Sequence, residues 1–438
     1  MNAERRDLGL VQAIGPVALG ASIVSMVVGA GIFVAPARLG AALGSLAPLA
    51  VLACALAVGA IAVCAAEAGS RVPSSGGLYA VIEAAFGPGA GYVGGMLFWV
   101  SNVLACAAVC SALGDAAAAL VPSALRTATR AAVIVGVAGA VCTINIGGVS
   151  RGMRLVSVTT LVKLVPLAVF IIVGAFGVSA RNYTHPPLEL PDVGQALLVT
   201  LFTFQGFETG LCTSGEVASP ARAIPRALMI ALGTVTLLYA AIQAVAQGLL
   251  GPALGHSSVP LADAMGALHP ALRLLMLAGA AVSMLGWIAT DLMCSPRILF
   301  AFARDGVMPA VLGRLSARGH APYVSILCYA ALAVALALSG TFAELAAPAT
   351  LLMAALYIAT CLAAWRLARR GIALAGAPLQ FRWLGAAVVF GSASMLALIV
   401  LGTWPQILGL AGLIVLSACL YLVQSRLAGR GGLSRQGA

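Results

Sequence analysis

Charge is scarce in this chain of 438 residues: 8% are Asp, Glu, Lys or Arg, against 62% that are hydrophobic. A soluble globular protein carries about 25% charged residues, because its water-facing area must be solvated. The mean hydropathy of +1.07 leaves no room for a sizeable aqueous domain. Catalytic signatures are lacking as well. No paired-histidine helix, GxSxG elbow or Walker sequence is present, which argues against a membrane enzyme. The ten cysteines lie singly in apolar runs, for example Cys54, Cys106, Cys294 and Cys361, with no CxxC pair. They read as small packing residues, neither metal ligands nor disulfides. The four histidines, His185, His256, His269 and His320, are scattered over predicted loops, so neither a metal site nor a cofactor is expected. No cleavable leader or lipidation signature is expected at the ends, since Met1 to Leu10 is polar and the first apolar run is long enough to span. Lysine is nearly absent: Lys163 is the only one, and every other basic residue is arginine.

What the chain has is apolar length. A spanning helix needs about 20 mostly apolar residues, each rising about 1.5 Å through a hydrocarbon core of about 30 Å. Twelve such stretches are predicted at 12–43, 46–66, 89–114, 130–147, 154–178, 194–217, 226–250, 271–300, 322–340, 343–367, 382–402 and 405–425, separated by short Gly-, Pro-, Ser- or Arg-rich loops. The expected fold class is therefore an all-α membrane protein. The net charge of +11 would suggest nucleic acid only if its placement were ignored. With the N-terminus inside, the inner loops and tails hold Arg5, Arg6, Arg71, Arg151, Arg154, Arg222, Arg226, Arg297, Arg304, Arg314, Arg318, Arg366, Arg369, Arg370, Arg382, Arg426, Arg430 and Arg435. The outer side keeps Arg38, Arg126, Arg130, Arg181 and Arg273. That asymmetry follows the positive-inside bias, so both termini are expected in the cytoplasm of a bacterial cell and the spans in its inner membrane.

Two spans are irregular. The first contains Gly29-Ala30-Gly31 in mid-stretch, and the sixth contains Gln205-Gly206-Phe207-Glu208-Thr209-Gly210 in the same relative place. Glycine weakens a helix by about 1 kcal/mol relative to alanine, and polar groups at mid-depth are costly unless they line a cavity. Close helix packing of the small-xxx-small kind would account for the first alone. The matched pair, five spans apart, points to an inverted repeat with a binding site at the midplane.

These residues resemble the amino acid–polyamine–organocation transporters. Val28-Gly29-Ala30-Gly31-Ile32-Phe33 is similar to the family's glycine-rich break, and Ala66-Glu67 with Pro73-Ser74-Ser75-Gly76-Gly77-Leu78-Tyr79 to its loop after helix two. Phe204-Gln205-Gly206-Phe207-Glu208, Gly215-Glu216-Val217 and Pro220 to Arg226 resemble its helix-six region. Pro296-Arg297 through Ala303-Arg304-Asp305-Gly306-Val307-Met308-Pro309 resembles the end of helix eight. The likeness runs over about residues 12–370. It implies a leucine-transporter-like fold: a first five-helix repeat over 12–178, an inverted second repeat over 194–370, two added helices over 380–425, and cytoplasmic ends at 1–11 and 426–438. It also implies a secondary active transporter of amino acids.

The chemistry follows from the substrate's two charges. Free backbone N–H groups at Val28, Gly29, Ala30, Gly31 and Ile32, with the positive end of the following half-helix, favour a carboxylate. Unwound carbonyls around Phe204, Gln205, Gly206 and Phe207 would accept an ammonium. Lys163, near mid-depth before Pro166, is expensive in hydrocarbon unless paired. The resemblance implies that it takes the place sodium fills in the leucine transporter, bridging helices one and eight. It then either braces the helices as a fixed charge or cycles a proton, and sodium dependence becomes less expected either way. Glu208 and Asp291 are intramembrane acids. For Glu208 the resemblance to the arginine–agmatine antiporter implies gating, with a structural carboxylate as the alternative. Asp291 is a candidate partner for Lys163 or for a cationic substrate. Trp287, four residues before Asp291 and on the same helical face, either serves as an aromatic platform or packs. Asn102 is a candidate cavity residue on helix three, whereas Glu216, Arg222 and Arg297 suit gate or loop ion pairs. Ala30, where the antiporter has serine, and Lys163, where it has an apolar residue, tilt the reading towards a proton-linked permease. Exchange of cationic amino acids or polyamines stays open. A membrane sensor that kept the fold without transport is the reading from another class.

Overall fold

The computed structural model describes residues 16–72, 77–147, 163–184, 188–208, 220–304, 306–316, 321–373 and 378–433, with side chains 16–18, 22, 220–222 and 425–433 left aside. Every regular element among them is helical. The helices are α1 (Pro16–Val27), α2 (Gly31–Leu43), α3 (Ala47–Arg71), α4 (Gly77–Phe86), α5 (Pro88–Ala118), α6 (Arg126–Ile146), α7 (Leu164–Gly174) and α8 (Leu190–Phe204). They continue as α9 (Pro220–Leu250), α10 (Pro260–Gly266), α11 (Pro270–Cys294), α12 (Pro296–Arg304), α13 (Tyr323–Ser339), α14 (Phe342–Arg369), α15 (Leu384–Val400) and α16 (Trp404–Leu433). Seven helical stretches are long and apolar enough to cross a bilayer, and five shorter apolar helices accompany them. Together with the hydropathy, this defines an all-α membrane protein.

Prolines set many of the starts. Pro88, Pro260 and Pro270 stand at the first positions of their helices, where the missing N–H costs nothing. Helix α14 begins with a capping box: the Glu344 N–H donates to the Thr341 hydroxyl, and the Thr341 N–H donates to the Glu344 carboxylate at 2.8 Å. Two features were not expected. Residues 77–86, read as loop, form α4, an apolar run that stops at Gly87, whose φ of 96° suits only glycine. The span predicted at 271–300 is divided between α11 and α12 at Ser295, because Pro296 cannot donate the next helical hydrogen bond.

Burial separates centre from rim. Helices α5 and α14 are 72% buried in their apolar windows and pack on each other, whereas α16 is 11% buried and α6 22%. Within the bundle α2 packs on α8, and α1 on α9. One end of the bundle is stitched at Glu67. Its carboxylate pairs with Arg71 at 2.9 Å and accepts the Phe381 N–H, while the Ser70 hydroxyl accepts the Leu379 N–H. Of the predicted basic positions, Arg5, Arg6, Arg151, Arg154, Arg318 and Arg435, and the side chains of Arg222, Arg426 and Arg430, lie outside the described residues, as do His185 and His320. The nine described cysteines are all free, and no group suited to a metal ion occurs among the described residues.

The opposite end is held by Arg130. Its guanidinium donates to Asp115 at 2.9 Å, to the Ser111 hydroxyl at 2.7 Å, and to the carbonyls of Ala337 and Gly340 at 2.9 and 2.7 Å. One side chain thereby ties α5 and α6 to the turn between α13 and α14. Arg130→Ala removes all four bonds and leaves the Asp115 carboxylate half-buried. It is expected to destabilise the protein by about 2–3 kcal/mol. Thermal unfolding of the detergent-solubilised protein measures this, and an unchanged midpoint would refute it.

Candidate functional site

The first span is broken. Helix α1 ends at Val27, α2 starts at Gly31, and no side chain caps α2 at Ala30, which leaves backbone N–H groups of its first turn without a side-chain partner. The end of α8 comes up against this break. Gln205 is extended and Gly206 has φ of 111°. A Cβ on Gly206 would lie 2.9 Å from the Met26 carbonyl oxygen, and one on Gly31 would lie 2.8 Å from Thr203 Cγ2. The α1–α2 break and the end of α8 thus meet at close range, and glycine is what permits the approach. Thr209 and Gly210, and the motif Gly215-Glu216-Val217, lie outside the described residues, as do residues 73–76 and Asp305.

The carbonyls freed by the break in α1 are taken up by three side chains. Lys163, buried just before α7, donates its ammonium to the Ser25 carbonyl. The Tyr239 hydroxyl of α9 donates to the Val27 carbonyl at 2.9 Å. The Ser283 hydroxyl of α11 is shared between the Val28 and Gly29 carbonyls at 3.4 and 3.3 Å. Across the break Trp287, one turn beyond Ser283, lies so close that a Cβ on Gly29 would come within 2.8 Å of its indole Cδ1. Val28, Gly29, Ala30, Gly31 and Ile32 are buried here, whereas Trp287 is only partly covered.

Just past the end of α8 the Gly206 N–H is shared between the two carboxylate oxygens of Glu208, 3.1 Å from each, and the Tyr357 hydroxyl of α14 donates to the same carboxylate at 3.0 Å. The Gln205 amide donates to the Thr350 hydroxyl at 3.3 Å. The rings of Phe204 and Phe207 are fully buried, stacked edge-on against Tyr239 and tilted against Tyr357 respectively. Glu208 is therefore a buried carboxylate supplied with hydrogen-bond donors by two elements, as such a group requires.

Asp291 sits elsewhere. It accepts from the Ser295 and Tyr329 hydroxyls, both at 2.6 Å, and Tyr329 packs edge-on against Trp99 at 6.0 Å. The expected pairing with Lys163 is not formed, because each group finds its partners on a different helix. Asn102 is half-buried on α5 and makes no hydrogen bond among the described residues. Sequence reasoning missed Tyr239, Ser283 and Tyr357. The usable signal was a hydroxyl in an otherwise apolar stretch, which must find an acceptor when buried.

The break between α1 and α2 and the end of α8 bring backbone and buried polar groups together inside an all-α membrane bundle. The amino acid permease family model matches residues 14–423, and the chain belongs to that family. It is similar to an uncharacterised transporter of Mycobacterium tuberculosis, 32% identical over 350 residues that cover 76% of this chain and 74% of that one. It also resembles the serine/threonine exchanger of Bacillus subtilis strain 168, at 27% identity over 75% of this chain and 77% of that protein. A vacuolar cationic amino acid transporter of Arabidopsis thaliana is 26% identical, over 68% of this chain and 54% of its own length. The protein is an amino acid transporter embedded in a membrane as a multi-pass bundle.

Proposed function

We propose that this permease is a proton-coupled, sodium-independent amino acid symporter of a bacterial inner membrane, with both termini in the cytoplasm. In this reading twelve spans comprise inverted five-helix repeats over 12–178 and 194–370, followed by two added spans over 380–425. The substrate carboxylate is held by backbone N–H groups at Ala30 to Ile32, because the Val28 and Gly29 N–H groups, expected to be free, donate to the Val24 and Val27 carbonyls at 2.9 and 2.8 Å. Its ammonium is held by carbonyls at Phe204, Gln205 and Phe207, with Trp287 and Asn102 shaping the pocket and Glu208 and Asp291 tuning its opening. The observation that carries the coupling is the Lys163 ammonium on the Ser25 carbonyl. A tethered cation there competes for the oxygens that a free sodium ion would need. Proteoliposomes supplied with labelled amino acids test it. Uptake is expected with an inwardly directed proton gradient and no added sodium; uptake that requires a sodium gradient would overturn it.

Exchange is the second reading, favoured by the relative named as a serine/threonine exchanger. It is separated by counterflow: an exchanger accumulates label only when the vesicles are preloaded with unlabelled amino acid.

A further inference from the structure

Away from the helix breaks, a groove with a volume of about 480 Å³ opens between α4, α5, α14 and α16. That is within the range of small-molecule pockets, about 300–1,000 Å³. Its walls are apolar except for the Tyr421 hydroxyl, and its depth comes from small residues: Gly89, Ala90, Gly94, Ala359 and Ala418. Along α5 it runs from Gly89 to Leu97, about 12 Å at 1.5 Å per residue. Such a slot is too short and narrow to seat a helix about 10 Å across, but it suits a hydrocarbon chain.

At its mouth stands Arg366. The guanidinium lies 5.2 Å over the ring of Phe86, which itself lines the groove. Stacking occupies the flat face of a guanidinium and leaves its N–H edges unspent. The side chain makes no hydrogen bond or ion pair among the described residues, and its Nε is buried without a partner. Arg369, stacked on Trp365 at 5.2 Å, and Arg370 follow on the same helix end, and no carboxylate pairs with either among the described residues. An apolar slot in a membrane-spanning bundle that ends at uncompensated arginines has the complementarity of an anionic lipid.

We propose that this groove binds an anionic phospholipid, with one acyl chain between α5 and α16 and the phosphate on the guanidinium edge of Arg366. Occupancy bears on transport through α14. Leu356 lines the groove, and the next residue, Tyr357, holds Glu208 in the helix break. A bound chain steadies the helix from which that hydroxyl reaches inward.

The test uses the full chain, delipidated in detergent and offered phosphatidylglycerol or phosphatidylcholine, with retained lipid read by native mass spectrometry and stability by thermal melting. Wild type is expected to retain phosphatidylglycerol about fivefold over phosphatidylcholine, the scale of one basic residue meeting an anionic headgroup. Arg366→Gln should bring that ratio close to one, and Ala418→Phe, which fills the slot, should abolish retention of either lipid. Arg366→Lys keeps the charge without the planar fork and should fall between. An equal ratio in wild type overturns the proposal, as does undiminished retention in Ala418→Phe that still melts cooperatively. Disulfide cross-linking that appears only when both copies carry Ala418→Cys, with the exposed Cys419 replaced by serine, would overturn it too, by showing that a second chain covers the groove. None of these outcomes depends on which solute is carried or how transport is coupled.

Discussion

Lys163→Ala is expected to abolish amino acid accumulation driven by a proton gradient while leaving substrate binding measurable. The ammonium is the one cation at the break among the described residues, and it donates to the Ser25 carbonyl. Alanine leaves that carbonyl without its donor and removes the only lysine in the chain. A loss of at least about tenfold in initial rate corresponds to about 1.4 kcal/mol, which is modest for a buried charge-assisted hydrogen bond. The companion variant separates the two roles. Lys163→Arg keeps a permanent positive charge, since a guanidinium does not release its proton. If the amine cycles a proton, arginine fails as alanine does. If the charge is only a brace between α1 and the start of α7, arginine supports uptake. Binding of labelled substrate by each purified variant shows that the fold survives, and undiminished proton-driven uptake by Lys163→Ala would sink the coupling mechanism.

The second large effect belongs to Gly206. Its φ of 111° is a backbone state open almost only to glycine, and holding another residue there costs about 1–3 kcal/mol. The neighbouring chain adds to this, because a Cβ would press within 2.9 Å of the Met26 carbonyl and 3.3 Å of the Val27 nitrogen. Neither is a side chain that can rotate away. Gly206→Val should therefore push the end of α8 away from the α1–α2 break, lose transport entirely, and lower the thermal midpoint. Gly233→Ala is the matched control. It sits on the exposed face of α9 with open space around its Cβ, so alanine should be neutral or slightly stabilising. Uptake at the wild-type rate in Gly206→Val would show that this close approach is not needed.

Much of this fold could be read beforehand because bilayer physics is severe. A stretch such as 89–114 has to be helical to satisfy its own backbone, and the helix runs from Pro88 to Ala118. The break between α1 and α2 could be read because glycine in mid-span is costly enough to need a reason. Helix α4 could not. Its ten residues are too few to span, and they follow a Pro-Ser-Ser-Gly run that signals a loop. The partners inside the bundle were hidden for a different reason. Tyr239, Ser283 and Tyr357 lie 212, 255 and 149 residues from the groups they bond, so no local pattern marks them. Asp291 illustrates both sides. Its presence at mid-depth was plain, yet its bonds to Tyr329 and Ser295 follow from how α13 packs on α11, which the sequence does not spell out.

The rarity of lysine has a practical side. Apart from the α-amino group, the chain offers amine chemistry a single target, buried where three helices meet the unwound turn of α1. Reductive methylation with isotopic formaldehyde would put one side-chain reporter into a protein of 438 residues. Its resonance would follow that nitrogen as pH, substrate and sidedness are varied. Its rate of modification would clock how often the closed turn opens to water.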